Sequence, residues 1–218
     1  MNQQVVDQPF AATIRHLAAR WREAKVLLPA FPLLAQGEPL DIDLVAQTTG
    51  IPAEQIEKAV ETGRCERDSA GRLIDLYGMT LSPTLHRIEV DSKIVFSCCA
   101  LWAHVIPKLI GREISVESVD PRRRELVRLS ISPNGVEAVK PVGAAATMAI
   151  ASEEAVGEDV CSAFCCQVRH LVSRESAEEF AAESSVRQVV ELTELQTEAD
   201  DLYRAIWQAI LGTRPSRP

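Results

Sequence analysis

Five short runs rich in β-branched residues follow one another between residues 87 and 139, and only one of the gaps between them is helical by pattern. They are Arg87–Val90, Lys93–Phe96, Glu113–Val116, Leu126–Ile131 and Val136–Val139, several of them alternating apolar and polar residues as half-buried strands do. The gap that breaks the series, Cys99–Ile110, has helical spacing, is interrupted by Pro107 and closes at Gly111. Helical patterns flank the strand block. Phe10, Ile14, Leu17, Ala18 and Trp21 predict an amphipathic helix over 8–25. Pro29 and Pro32 bend Val26–Leu34, leaving room for a short second helix. Asp41 or Asp43 caps a helix that ends at Gly50, and Pro52 opens the next over Ala53–Glu61. Beyond the strands, Ser176–Ser185 and Leu192–Leu211 read as helices, the latter with Leu195, Ala199, Leu202, Ile206 and Ile210 as its core stripe, and Thr213–Pro218 as a frayed end. Helices, then antiparallel strands, then helices, without βαβ alternation, predict an α+β fold.

Two short helices about a glycine-containing turn, followed by Asp68–Gly71 between strand-like runs, read as a winged-helix-like module over 1–83. The rest, 84–218, reads as a core domain that carries the thiols and a C-terminal helix. The module's helices bear Asp41, Asp43, Glu54, Glu57 and Glu61 against Lys58, the wrong charge for a DNA groove. The whole chain has 23 basic and 31 acidic residues, a net charge of −8, which argues against nucleic acid or an anionic membrane as partner. No apolar run approaches the ~20 residues of a membrane span. The opening residues lack the basic start and apolar core of a signal peptide, so a cytoplasmic protein is expected.

The cysteines set the chemistry. Five of the six fall in two clusters, Cys98-Cys99 and Cys161-Ser162-Ala163-Phe164-Cys165-Cys166, with Cys65 apart. The cytosol keeps thiols reduced, and adjacent cysteines rarely bridge one another. Cys161 and Cys165 have a spacing found in zinc sites, but Cys98-Cys99 is not a matching half-site. A free cysteine often serves as a small buried hydrophobe. Two doublets offer more, because thiolates brought together bind soft metals such as Hg(II), Cu(I) and Zn(II). The nucleotide-binding glycine motifs, H-E-x-x-H and G-x-S-x-G are missing. Four scattered histidines give no cysteine–histidine pair at a spacing that would join them. The basic turn Pro121–Arg124 reads as a solvated loop.

The run Phe96-Ser97-Cys98-Cys99-Ala100-Leu101 with Ile106-Pro107-Lys108-Leu109-Ile110-Gly111-Arg112 resembles the active-site segment of the organomercurial (alkylmercury) lyases. Leu129–Pro133 and Val136–Pro141 are similar to that family's central strands, and Glu158–Val160 with Ser162–Cys166 to its second cysteine segment. The resemblance spans roughly residues 25–175.

The resemblance implies protonolysis of a carbon–mercury bond to hydrocarbon and Hg(II). Cys99 and Cys165 would be the catalytic, metal-holding thiols, Cys166 the extra thiol beside the second, and no organic cofactor would be needed. The implied partners are a small organometallic substrate and cellular thiols. The family's aspartate, three residues after the first cysteine, is replaced here by Trp102, whose indole N–H only donates. Trp102 is expected to line the substrate pocket; His104, Glu89 and Asp91 are the nearest substitutes for the acid. Cys98 adds a further thiol where the family usually has a bulky residue. Two alternatives follow: a non-catalytic binder of Hg or Cu through Cys98, Cys99, Cys165 and Cys166, or an enzyme of the same scaffold acting on another substrate. Cys65 is read as incidental and Cys161 as structural.

Overall fold

Residues 10–63 and 65–211 are described by the computed structural model; Thr213–Pro218 and the first two residues of the helix predicted over 8–25 lie outside them. The N-terminal apolar spacing forms α1 (Ala11–Ala19) and α2 (Trp21–Ala24), which bury Ile14, Leu17, Ala18 and Trp21. A 3-10 turn (Lys25–Ala30) containing Pro29 leads into the four-residue α3 (Phe31–Leu34), where Pro32 sits in the first turn and no helical hydrogen bond is lost. α4 (Ile42–Thr49) follows Asp41 and ends on Gly50, and α5 (Ala53–Gly63) comes next. The Asp68–Gly71 turn is flanked by bridges from Leu73 to Leu40 and Arg67. The tight hairpin β1 (Asp75–Leu76) and β2 (Met79–Thr80) follows.

The strands predicted in mid-chain form as β3 (His86–Val90), β4 (Lys93–Ser97), β5 (Ile114–Val119), β6 (Leu126–Ser132) and β7 (Gly135–Lys140). Among the described residues they join the hairpin in an antiparallel sheet of order β1-β2-β4-β3-β5-β6-β7. β2 pairs with β4, Met79 opposite Ser97, and one buried cluster runs from Phe10 to Ile206. Sheet and core therefore both cross residue 83. Strand alternation divides the faces: Ile88, Val90, Val116 and Leu129 point inward, while Arg87, Glu89, Glu117 and Arg128 form ion pairs on the outer face. The basic turn is tied down as well, with Arg122 and Arg123 reaching Glu179.

Against the inner face lies α6 (Ala100–Ile110), which runs through Pro107 without breaking and ends at Gly111. Every residue from Ala100 to Pro107 is buried, as a helix apolar on all sides must be. Each such large apolar side chain contributes roughly 1.5–3 kcal/mol by leaving water.

A second sheet of order β10-β8-β9 is made by β8 (Ala145–Ala149), β9 (His170–Leu171) and β10 (Arg187–Glu191). Between β8 and β9 come α7 (Glu153–Ala163) and a 3-10 turn (Cys165–Gln167). α8 (Arg174–Ala181) and the long α9 (Leu192–Leu211) complete the chain; α9 lies against α1 and α6. No helix among the described residues is long and apolar enough to cross a membrane.

Candidate functional site

The two cysteine clusters meet where β4 runs into α6. Cys99 is the N-cap of α6 in extended conformation, and Ser97 Oγ fixes it by donating to the Cys99 carbonyl at 2.8 Å. Cys165 opens the 3-10 turn after α7. The two segments are laced together by the Ala100 N–H, which donates to the Val168 carbonyl at 3.2 Å. As a result the sulfurs of Cys98, Cys99 and Cys165 all lie within 4.8 Å of one another, and Cys98 Sγ donates to Cys165 Sγ at 3.4 Å. Such a soft sulfur triangle suits Hg(II) or Cu(I).

The three thiols are not equivalent. Burial opposes charge on Cys99, but contacts from Cys165 and Cys98, the Trp102 backbone N–H and the Arg169 guanidinium together hold its thiol well below the ordinary range. Cys98 is pushed up by its contacts with Cys165 and Cys99 and by burial. For Cys165, the contact with Cys98 favours the thiolate, but Cys99 and burial outweigh it and the thiol is raised. The triangle thus holds its negative charge on Cys99. Arg169 Nη1 donates to the Cys165 carbonyl at 3.0 Å, which keeps the compensating cation in place.

A cavity of about 300 Å³ opens over this triangle, with Cys98 and Cys165 facing it and Cys99 behind them. Trp102 forms part of its wall, packed 5.6 Å from Trp21. The indole packs against Gly78, where a Cβ would stand 2.5 Å from the ring; Gly78 also has φ +116. Only glycine permits both. Four carboxylates complete the wall: Glu66, Asp75, Glu158 and Asp159.

The alkylmercury lyase family model matches residues 79–204, more than half the chain. The chain belongs to the alkylmercury lyase family. Curated relatives are the alkylmercury lyases of Staphylococcus epidermidis (36% identical over 171 residues, 77% of each chain) and Bacillus cereus (34% over 153 residues, 70% of this chain and 68% of the relative). A third, from Streptomyces lividans, is 30% identical over 184 residues, 84% of this chain and 82% of the relative. Among solved structures, the mercury-bound form of MerB2 shares the fold with a TM-score of 0.72 at 14% identity, covering 88% of this chain and 98% of that one.

Within this lyase fold, the structure separates residues that the sequence grouped. Cys166 stands outside the sulfur triangle; it is exposed and sits 3.5 Å from the exposed Cys161. Cys65 is half-buried, its thiol pushed up to about 12 by burial and by Asp75. Of the three substitutes for the family's acid, none lines the cavity. Glu89 pairs with Arg87 on the outer face, Asp91 with Arg112 at an exposed turn, and His104 is buried in α6. Asp75 does line it. Burial and the neighbouring Glu66 raise its carboxyl to about 7, against N–H contacts from Glu66 and Tyr77 that favour the charged form.

Sequence reasoning also missed a buried chain of hydrogen bonds that begins at Arg169. Its direction is fixed at both ends, because a guanidinium only donates and a carboxylate only accepts. Arg169 Nη1 donates to His86 Nε2 at 3.3 Å. His86 Nδ1 then donates to Ser118 Oγ at 2.8 Å, and Ser118 Oγ to His170 Nδ1 at 2.8 Å. His170 Nε2 donates to His104 Nε2 at 3.0 Å, His104 Nδ1 to Gln196 Oε1 at 2.8 Å, and Gln196 Nε2 to Asp200 Oδ1 at 2.8 Å. Three neutral imidazoles satisfy every step. Burial, the largest cause for each, lowers His86 to about 3 and His104 to about 4, and holds His170 well below its usual range. The signal was present in the strand alternation: His86 shares the inward face of β3 with Ile88 and stands opposite Ser118 of β5.

Proposed function

We propose that this chain protonolyses organomercurials, with Cys99 and Cys165 as the metal-holding thiols and Asp75 as the proton donor. The observation that carries the reading is the sulfur triangle beneath an acid-lined cavity, with one sulfur kept as thiolate and two as thiols. An R–Hg species, arriving on a cellular thiol, meets Cys165 and Cys98 at the cavity floor and passes to the Cys99 thiolate, displacing that carrier thiol. Sulfur ligation raises electron density on the carbon. The C–Hg bond then breaks with its electron pair on carbon, which takes the proton of Asp75, and the Cys165 thiol returns a proton to Asp75 as its sulfur closes on mercury. Cys99–S–Hg–R and H–S–Cys165 thus become RH and Cys99–S–Hg–S–Cys165, and the reaction is balanced without a further cofactor. Trp102 shapes the apolar wall for the organic group, and its backbone N–H supports the thiolate that its side chain cannot serve. Exchange with cellular thiols of the reducing cytoplasm removes the Hg(II).

One observation favours a second reading. Three sulfurs in one triangle can hold Hg(II) or Cu(I) more firmly than turnover tolerates, which would make the chain a soft-metal binder. Incubating reduced protein with phenylmercury and excess thiol separates the two. Many benzene molecules per chain establish the lyase; no benzene, with metal retained in stoichiometric amount by mass spectrometry, overturns it in favour of the binder.

A further inference from the structure

The product of the proposed reaction would sit on two cysteines that are 0% and 4% exposed, reached from solution through the cavity that Cys165 lines. A second pair of thiols stands beside it. Cys161 and Cys166 are exposed with their sulfurs 3.5 Å apart. Cys161 lines the same cavity as Cys98 and Cys165, and Cys166 is the chain neighbour of Cys165. Their placement is built rather than incidental. Asp159 interrupts the helical conformation within α7, and its carboxylate accepts from the N–H groups of Cys161 and Ser162 at 3.0 and 3.2 Å and from Ser162 Oγ at 2.6 Å. Gln167 Nε2 then donates to the Ser162 carbonyl at 2.8 Å, closing the segment that carries both cysteines into one compact turn. Two sulfurs in contact can take a soft cation between them after a small side-chain rotation, since no hard ligand competes for it.

The geometry points to Cys161 and Cys166 as a second Hg(II) site at the cavity mouth, which receives the metal from the buried triangle and presents it to thiols in solution. This rests on the proposed lyase reading for the origin of the metal, but the site itself takes inorganic Hg(II) from any source. The transfer balances by ligand exchange: as each new S–Hg bond forms and an old one breaks, the protons of Cys161 and Cys166 pass to the sulfurs of Cys99 and Cys165. No electrons are transferred. Intramolecular handover replaces a scarce external thiol by one held at millimolar effective concentration or above.

The test uses mercuric chloride and the reduced full-length chain, so its outcome is independent of whether carbon–mercury cleavage occurs. After competition with a monothiol, native mass spectrometry is expected to show one more Hg(II) on the wild type than on Cys161→Ser/Cys166→Ser. Cys99→Ser/Cys165→Ser should keep the metal at the outer pair. With a single Hg(II) loaded, release to dilute glutathione should be about tenfold slower in Cys161→Ser/Cys166→Ser, the loss expected when an intramolecular step becomes bimolecular. Equal metal counts in the wild type and this variant, or equal release rates, overturn the proposal. Circular dichroism of the variants confirms that they fold.

Discussion

Arg169 Nη1 bonds both the Cys165 carbonyl, at 3.0 Å, and His86 Nε2, at 3.3 Å, and so joins the thiol triangle to the buried histidine chain. The guanidinium is one of the groups that keep Cys99 ionised. Arg169→Gln removes that charge while leaving a donor. The Cys99 thiol should then titrate at higher pH, followed by thiolate ultraviolet absorbance in a background of Cys98→Ser/Cys165→Ser, and phenylmercury turnover should fall about 10–100-fold, as when a supporting contact to a metal ligand is lost. An unchanged Cys99 titration would show that the charge plays no part.

The histidines give the fold an acid limit. The folded values of His86 and His104, about 3 and about 4, lie below the ordinary 6.5, so between these pH values the unfolded chain binds protons that the folded chain cannot. Their neutral forms therefore stabilise fully above pH 6.5, and stability falls as the pH drops from there toward 4. Thermal melts should show the midpoint declining through that window. His86→Gln should flatten the decline, because Gln is neutral throughout and its amide can still bond Ser118.

Gly78 and Trp102 form a matched pair whose significance a sequence pattern does not display. Gly78→Ala brings a Cβ to within 2.5 Å of the indole, at a backbone φ of +116. The expected cost is roughly 1–3 kcal/mol from overpacking, with further strain from the backbone. A urea melt measures it, and phenylmercury KM should rise as the cavity wall shifts. Stability equal to wild type would mean that the ring moves aside freely.

Period-2 and period-3.6 patterns made the central strands and α6 legible, because one side of the sheet is solvated and the helix is apolar all round. β8 was missed since Ala145–Ala149 is alanine-rich, buried throughout, and carries neither alternation nor a β-branched run. Residue type and neighbourhood marked the two cysteine clusters, and the family resemblance pointed to Cys99 and Cys165 within them. What could not be read was their separation from Cys166: adjacent residues on a 3-10 turn point in different directions, so Cys165 enters the triangle while Cys166 faces solvent. Asp75 was invisible for a related reason. It reaches the cavity only because β2 pairs with β4, carrying the hairpin it shares with β1 up to the thiols.

Cys98 tests how many sulfurs the product uses. Its sulfur lies 3.4 Å from that of Cys165 and faces the cavity. Cys98→Ser leaves Cys99 and Cys165 as a two-sulfur site, so Hg(II) should be released to competing thiol about tenfold or more faster, within the range by which site changes shift metal affinity. Benzene formed in a single turnover should hold. Unchanged retention would place Cys98 outside the metal's coordination.

The pH profile of turnover tests Asp75 most directly. A general acid works only while protonated, and its folded value of about 7 leaves roughly half of the carboxyl protonated at neutral pH. Cys99 is held as thiolate well below its ordinary range, so deprotonating it does not limit the rate near neutrality. Single-turnover benzene release should therefore fall as pH rises through about 7, the sign expected for loss of an acid. Asp75→Asn cannot donate a titrating proton and should lose about 10²–10⁴-fold in rate, with the step near pH 7 gone from what activity is left. Asp75→Glu, which keeps the carboxyl, should recover part of the rate with a shifted midpoint. A descending limb that persists at the same pH in Asp75→Asn would move the proton donor to another group, and the Cys165 thiol, raised above its usual range, is then the one that remains.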